Sequence, residues 1–193
     1  MMSICRWLLR LRFASAGALL LAGAAAAASD LPQGTRQIVL HARDGSRVDL
    51  GQVVFTPQAD GRTAFRIQLG FPGLEDHFLS MREFKCVAGQ GEKLCVVPYP
   101  YPQPGTIGRA DLAWLEHSLI FLRNRPGDHG ARLSEGVYFA LTPTPAGGFD
   151  GRLQAVDLTA MGVPPPDAKP PLKATLRDDV PVGARWFQRL TIE

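Results

Sequence analysis

Residues 38–50 read IVLHARDGSRVDL, and the loop placed inside that stretch decides the fold. A three-residue loop at Arg43-Asp44-Gly45 suits a type I turn followed by a left-handed glycine. It pairs Ala42 with Ser46, Leu40 with Val48 and Ile38 with Leu50. His41 then faces Arg47, and Val39 faces Asp49, giving an inside face and an outside face. A two-residue loop would set Leu40 opposite Asp49 and lose that division. The same reading holds further on. A loop of Ala59-Asp60-Gly61 pairs Phe55 with Phe65, Val53 with Ile67, Val54 with Arg66 and Gln52 with Gln68. Between the two hairpins the inward positions change from even (Val48, Leu50) to odd (Val53, Phe55). A one-residue slip turns every side chain to the other face, so a β-bulge is expected at Gly51-Gln52.

Beyond this meander, Phe71-Pro72-Gly73 breaks the chain and a long strand is expected from about His77 to Ala88. A two-residue turn at Gln90-Gly91 sets Cys86 directly opposite Cys95. Counting outward from that turn, the pair falls at a non-hydrogen-bonded position, where Cα atoms approach closely enough for a cross-strand disulfide. The spacing is not C-x-x-C, and no helix N-terminus is evident to stabilise a thiolate, so the bond reads as structural.

Pro98 to Gly105 has proline at every second position and cannot donate regularly to a sheet. Asp111 is the expected N-cap of a short helix carrying Leu112, Leu115 and Leu119 on one face. Ser118 to Leu122 reads as a strand. Val137, Phe139 and Leu141 alternate, as do Leu153 and Ala155, with Pro143 to Gly151 as a loose connection. Trp186 to Ile192 reads as a terminal strand. Eight or nine strands with one short helix make an all-β, mainly antiparallel domain. A small calycin-like β-barrel is the first expectation and a two-sheet β-sandwich the second.

The first 28 of the 193 residues read as a cleaved secretory signal peptide. Arg6, Arg10 and Arg12 precede an apolar run from Phe13 to Ala28, and Ala26-Ala27-Ala28 supplies a small-residue cleavage pattern before Ser29. Cys5 lies before the apolar run, so it is not placed for lipid attachment. The run is short and weak for a membrane span. Residues 29–193 then form a single domain in the periplasm, with a proline-rich surface segment at 163–171 and no transmembrane segment. The leader takes three arginines and no acid, leaving 18 basic and 18 acidic residues in the mature chain. The basic whole-chain balance belongs to the leader, and nucleic-acid binding through a general positive field loses its support.

Signatures of catalysis are missing. The chain has no H-E-x-x-H, no G-x-S-x-G and no phosphate-cradling glycine loop, and it points to no cofactor and no metal. Three of the four histidines follow an acid: Asp76-His77, Glu116-His117 and Asp128-His129. Neighbours on a strand face opposite ways, so such a pair does not readily share a pocket. His77 and His129, at loop-to-strand junctions, are the ones to watch. Tyr99 and Tyr101, spaced by proline, form a ledge that could hold a ring or a peptide, or could simply cover the disulfide hairpin. Trp114 and Trp186 read as core residues. Arg82, beside Glu83, reads as part of a solvated face, or as an anchor for an acidic ligand if it points inward. The expected function is a non-catalytic exported β-scaffold that binds a small molecule or an envelope protein. The alternatives are a periplasmic hydrolase using His77 or His129 with nearby acids, and a module that presents proline-rich segments to a partner.

Overall fold

The computed structural model describes residues 31–70, 74–79, 82–128, 130–162 and 169–193. The leader, Phe71-Pro72-Gly73, His129 and most of the 163–171 segment lie outside them.

Strands β1 (Gly34–Ala42), β2 (Arg47–Pro57) and β3 (Thr63–Leu69) form the expected meander. His41 faces Arg47, Leu40 faces Val48 and Val39 faces Asp49. In the second hairpin all four expected pairs form, Gln52 with Gln68 through Phe55 with Phe65. Both loops close on a left-handed glycine, Gly45 at φ +85° and Gly61 at φ +81°. The Gly45 N–H donates to the Ala42 carbonyl at 3.1 Å.

The bulge is present one residue earlier than expected. Ile38 pairs with Gly51, and Leu50 is the extra residue. The cause is local. The Asp49 carboxylate accepts the Gly51 N–H at 2.9 Å and draws the backbone around Leu50. Gly51 is left at φ +140°, and a Cβ there would lie 2.1 Å from the Gln68 carbonyl oxygen, so only glycine fits. The parity change follows, with Leu50 and Val53 both fully buried.

The long strand expected from His77 to Ala88 is instead a hairpin. Strands β4 (Glu75–Leu79) and β5 (Arg82–Gly89) run antiparallel, with Glu75 opposite Cys86 and Leu79 opposite Arg82. Ser80-Met81, between the two strands in sequence, lies outside the described residues. That dipeptide contains no glycine, proline, asparagine or aspartate, the residues that most often announce a turn. Strand β6 (Glu92–Val96) follows after Gln90-Gly91, and Cys86 faces Cys95 as expected.

The rest of the chain supplies β7 (Thr106–Ile107), α1 (Ala113–His117), β8 (Phe121–Asn124), β9 (Gly136–Pro143), β10 (Phe149–Val156), β11 (Arg177–Asp179) and β12 (Phe187–Ile192). Leu112 occupies the N-cap of α1, with no side-chain cap. Asp111 is drawn away, its carboxylate 3.2 Å from the Arg62 guanidinium and its backbone bridged to Gly108. The strand expected from Ser118 begins at Phe121, and β10 begins two residues before Gly151.

The strands form one antiparallel sheet in the order β4-β5-β6-β8-β9-β10-β12-β1-β2-β3-β7, with β11 beside β10. The all-β class with one short helix holds. The closed barrel does not, because no pairing joins β4 to β7 among the described residues. One continuous sheet also replaces the two-sheet alternative. The barrel stays open for a chemical reason. The chain between β6 and β7 has proline at 98, 100, 102 and 104, so it lacks the donors for a full strand. Only two residues, Thr106 and Ile107, pair beside β3.

The sheet buries residues on both faces. One cluster joins Ile38, Leu40, Val53 and Phe55 to Val87, Phe121, Phe139 and Leu190 across its whole width. A second, on the opposite face, gathers Cys86, Cys95, Leu122, Tyr138 and Val156 under Leu158, Met161 and Leu172. Strand β9 lies between them, which is why Val137, Tyr138 and Phe139 are all buried in succession.

Candidate functional site

Among the described residues lies a cleft of about 970 Å³ with mostly apolar walls. Ile67 and Leu69 of β3 form one wall, and Glu83, Phe84 and Lys85 of β5 with Val96 of β6 form another. Strands β3 and β5 each lie one place in from opposite ends of the sheet path. The sheet therefore curls until its two ends face each other across the cleft without pairing. Pro98, Tyr99 and Pro100 contribute a third side, and Leu122, Leu158 and Met161 the floor of the second cluster.

Tyr99 belongs to this cleft and also to an aromatic stack. Its ring lies 5.7 Å from Tyr101, 5.6 Å from Trp114 and 6.0 Å from His117. Tyr101 does not line the cleft. Its hydroxyl donates to the Gly162 carbonyl at 3.0 Å and ties the proline-rich stretch to the end of the Leu158–Met161 turn. Tyr99 also packs on the cluster that holds the disulfide, so the ledge and the cover are one residue. Both cysteines are fully buried and bonded. Protein made in an oxidising compartment and denatured without reductant should show no free thiol at either position, and two titratable thiols there would overturn the pairing. Reduction should cost about 2–3 kcal/mol, the loop entropy of so short a ring.

His77 and Asp76 point to opposite faces of β4, as strand geometry requires. Asp76 pairs with Lys85. His77 lies 3.5 Å from Glu75 and 3.3 Å from the Lys93 ammonium, partly exposed and outside the cleft lining. The Arg82 side chain and His129 lie outside the described residues. Of the expected ligand-binding residues whose side chains are described (His77, Tyr99 and Tyr101), Tyr99 lines the cleft. Trp114 is buried and Trp186 packs on the main core, as expected of both.

Sequence reasoning passed over His117, the most buried histidine among the described residues. Glu116 and His117 lie on a helix rather than a strand, so both turn inward together. The Glu116 carboxylate accepts the Tyr138 hydroxyl at 2.6 Å and the Leu141 N–H at 2.7 Å. His117 accepts the Leu172 N–H on Nε2 at 3.1 Å and donates from Nδ1 to the Ala113 carbonyl at 2.6 Å. That pattern fixes the neutral tautomer. Burial drives its pKa down to about 4, the Ala113 carbonyl opposes this, and Arg177 lowers it further. Arg177 itself lies over the Tyr138 ring, 4.1 Å from its centroid, and 4.0 Å from Glu116. Burial and the Glu116 carboxylate hold the Tyr138 phenol protonated, its pKa raised. Both nitrogens of His117 and both oxygens of Glu116 are thus spent on the fold, and neither is free to work on a substrate.

No group of three or more metal-donor side chains is assembled among the described residues. No helix among them is long and apolar enough to cross a membrane. Comparison with family models, with curated proteins and with solved structures found no match to this chain.

Proposed function

We propose that this is a non-catalytic exported scaffold that holds an apolar guest in the cleft between the ends of its curled sheet. The observation that carries the reading is the cleft itself: large, open, and walled by Ile67, Leu69, Phe84, Tyr99, Leu158 and Met161. Contiguous apolar surface of this kind is costly to leave in water and marks a binding site. Export to the periplasm, with residues 1–28 as the cleaved leader, fits the buried Cys86–Cys95 bond, which needs an oxidising compartment to form and persist. The hydrolase alternative finds no support at His77, which contacts Glu75 and Lys93 and does not line the cleft.

Binding of an uncharged apolar dye such as Nile red tests the site. Ala131 lines the cleft. Ala131→Trp should fill part of it and weaken the dye by about tenfold, the loss of roughly 1.4 kcal/mol of contact. Thermal stability should stay near that of the parent. Equal dye affinity in parent and variant would place the apolar site elsewhere.

A further inference from the structure

We propose that the guest is an extended, uncharged stretch of peptide that adds as a strand to the outer edge of β3 beside Ile67 and Leu69. The proposal rests on the cleft reading above and specifies its occupant.

Backbone register shows which groups face the cleft. The Gln58 N–H donates to the Arg62 carbonyl at 2.9 Å, so the bonded pairs between β2 and β3 fall at even positions of β3. The odd residues, Thr63, Phe65, Ile67 and Leu69, turn their N–H and C=O groups to the other side. Strand β7 meets that side at Thr63 and Ala64, and the Gly105 carbonyl accepts the Phe65 N–H at 2.8 Å. There the neighbouring chain turns away, at Gly105 with φ +63° and the prolines before it. Among the described residues no strand lies beside Ile67 and Leu69 on this side. Among the described residues, the lane that β7 begins is half filled, and the rest of it runs along the cleft.

The same two residues supply apolar side chains to the cleft wall. An edge strand is normally blunted by a charge, a proline or a bulge. Here the inward positions are isoleucine and leucine. An acyl chain would cover those side chains and leave the backbone groups bare, which is unfavourable once water is excluded. A peptide strand satisfies both, with main-chain bonds to the edge and alternate side chains in the pocket. Charge agrees. The charged residues of the lining are Glu83 and Lys85, one of each sign, so the walls favour a guest without net charge.

The test uses the full-length exported protein and a short peptide alternating valine and threonine, with one terminal lysine and one terminal glutamate so that it carries no net charge. Its valines would sit opposite Ile67 and Leu69, with their amides toward β3. The same peptide N-methylated at the valines keeps the side chains and loses those donors. The parent peptide should bind and slow hydrogen exchange at the Ile67 and Leu69 amides, and N-methylation should weaken it roughly tenfold or more. Equal binding of both peptides would overturn strand addition. Binding of Nile red with neither peptide bound would overturn it too, while leaving the apolar cleft intact as the site. Failure of the dye and both peptides would overturn the cleft reading and the strand proposal together.

Discussion

Replacing Glu92 with alanine is expected to lower the free energy of unfolding by about 3–5 kcal/mol. Glu92 begins β6 and is 3% exposed. One carboxylate oxygen accepts the Trp186 and Phe187 N–H groups at 2.8 and 3.1 Å, and the other takes the Arg123 guanidinium at 2.7 Å. A single side chain therefore holds β6, β8 and the start of β12. Alanine would leave two backbone donors without their acceptor and Arg123 with Glu135, 3.4 Å away, as its remaining acid among the described residues. Each stranded donor costs on the order of 1–3 kcal/mol. Glu92→Gln keeps one acceptor and should lose roughly half as much. The exposed pair of Arg47 and Glu193 provides the contrast, since its removal should change stability by less than about 1 kcal/mol. Urea unfolding of the three variants decides the matter. A Glu92→Ala loss no larger than that of the surface pair would mean that water replaces the carboxylate and the strands are held by packing alone.

Acid should weaken the fold through His117 before the carboxylates titrate. In the folded protein this ring takes a proton only near pH 4, whereas its ordinary value is 6.5. Between those values the unfolded chain holds a proton that the folded chain does not. Stability therefore falls as the pH drops from about 6.5 toward 4, and His117 adds no further dependence above that window. The full effect is about 3 kcal/mol. Structurally, a proton on Nε2 would face the Leu172 N–H that now donates to it, with Arg177 nearby and Glu116 already engaged by Tyr138 and Leu141. His41 is shifted in the same direction by its own burial, so the measurement must be differential. His117→Gln should be less stable at pH 7 and should show a flatter decline to pH 4. Parallel curves for the two proteins would rule out His117 as the source.

Legibility followed the range of the interaction. Gly45, Gly61 and Gly91 mark turns whose geometry demands a positive φ, and alternation on either side then leaves one register. That sufficed for β1 to β3 and for the Cys86–Cys95 pair. Ser80-Met81 has no such marker, and a real hairpin read as one strand. A bulge was legible, expected at Gly51-Gln52 and formed at Leu50, but whether the ends would meet depended on how Pro98 to Gly105 crosses the gap. The cleft was half visible. Tyr99 drew notice through its prolines, whereas Phe84, Leu158 and Met161 share a wall only because β5 and the turn after β10 converge in space. His117 was the least visible. Its partners Tyr138 and Leu172 lie 21 and 55 residues away, and no local pattern records them.

The place of β12 has a kinetic consequence. It sits between β10 and β1, near the middle of the sheet, and 150 residues separate His41 from Thr191 across that seam. The hairpins on either side are local and form early; the seam joins distant parts of the chain and forms late. Until it does, β1 and β10 each have an open edge backed by an apolar face, the condition under which chains stick to one another. Refolding should thus be limited by one slow joining step, during which the two halves exist as separate, aggregation-prone pieces. A holding chaperone that shields the edges of β1 and β10 would speed recovery of native protein more than one that accelerates turn formation.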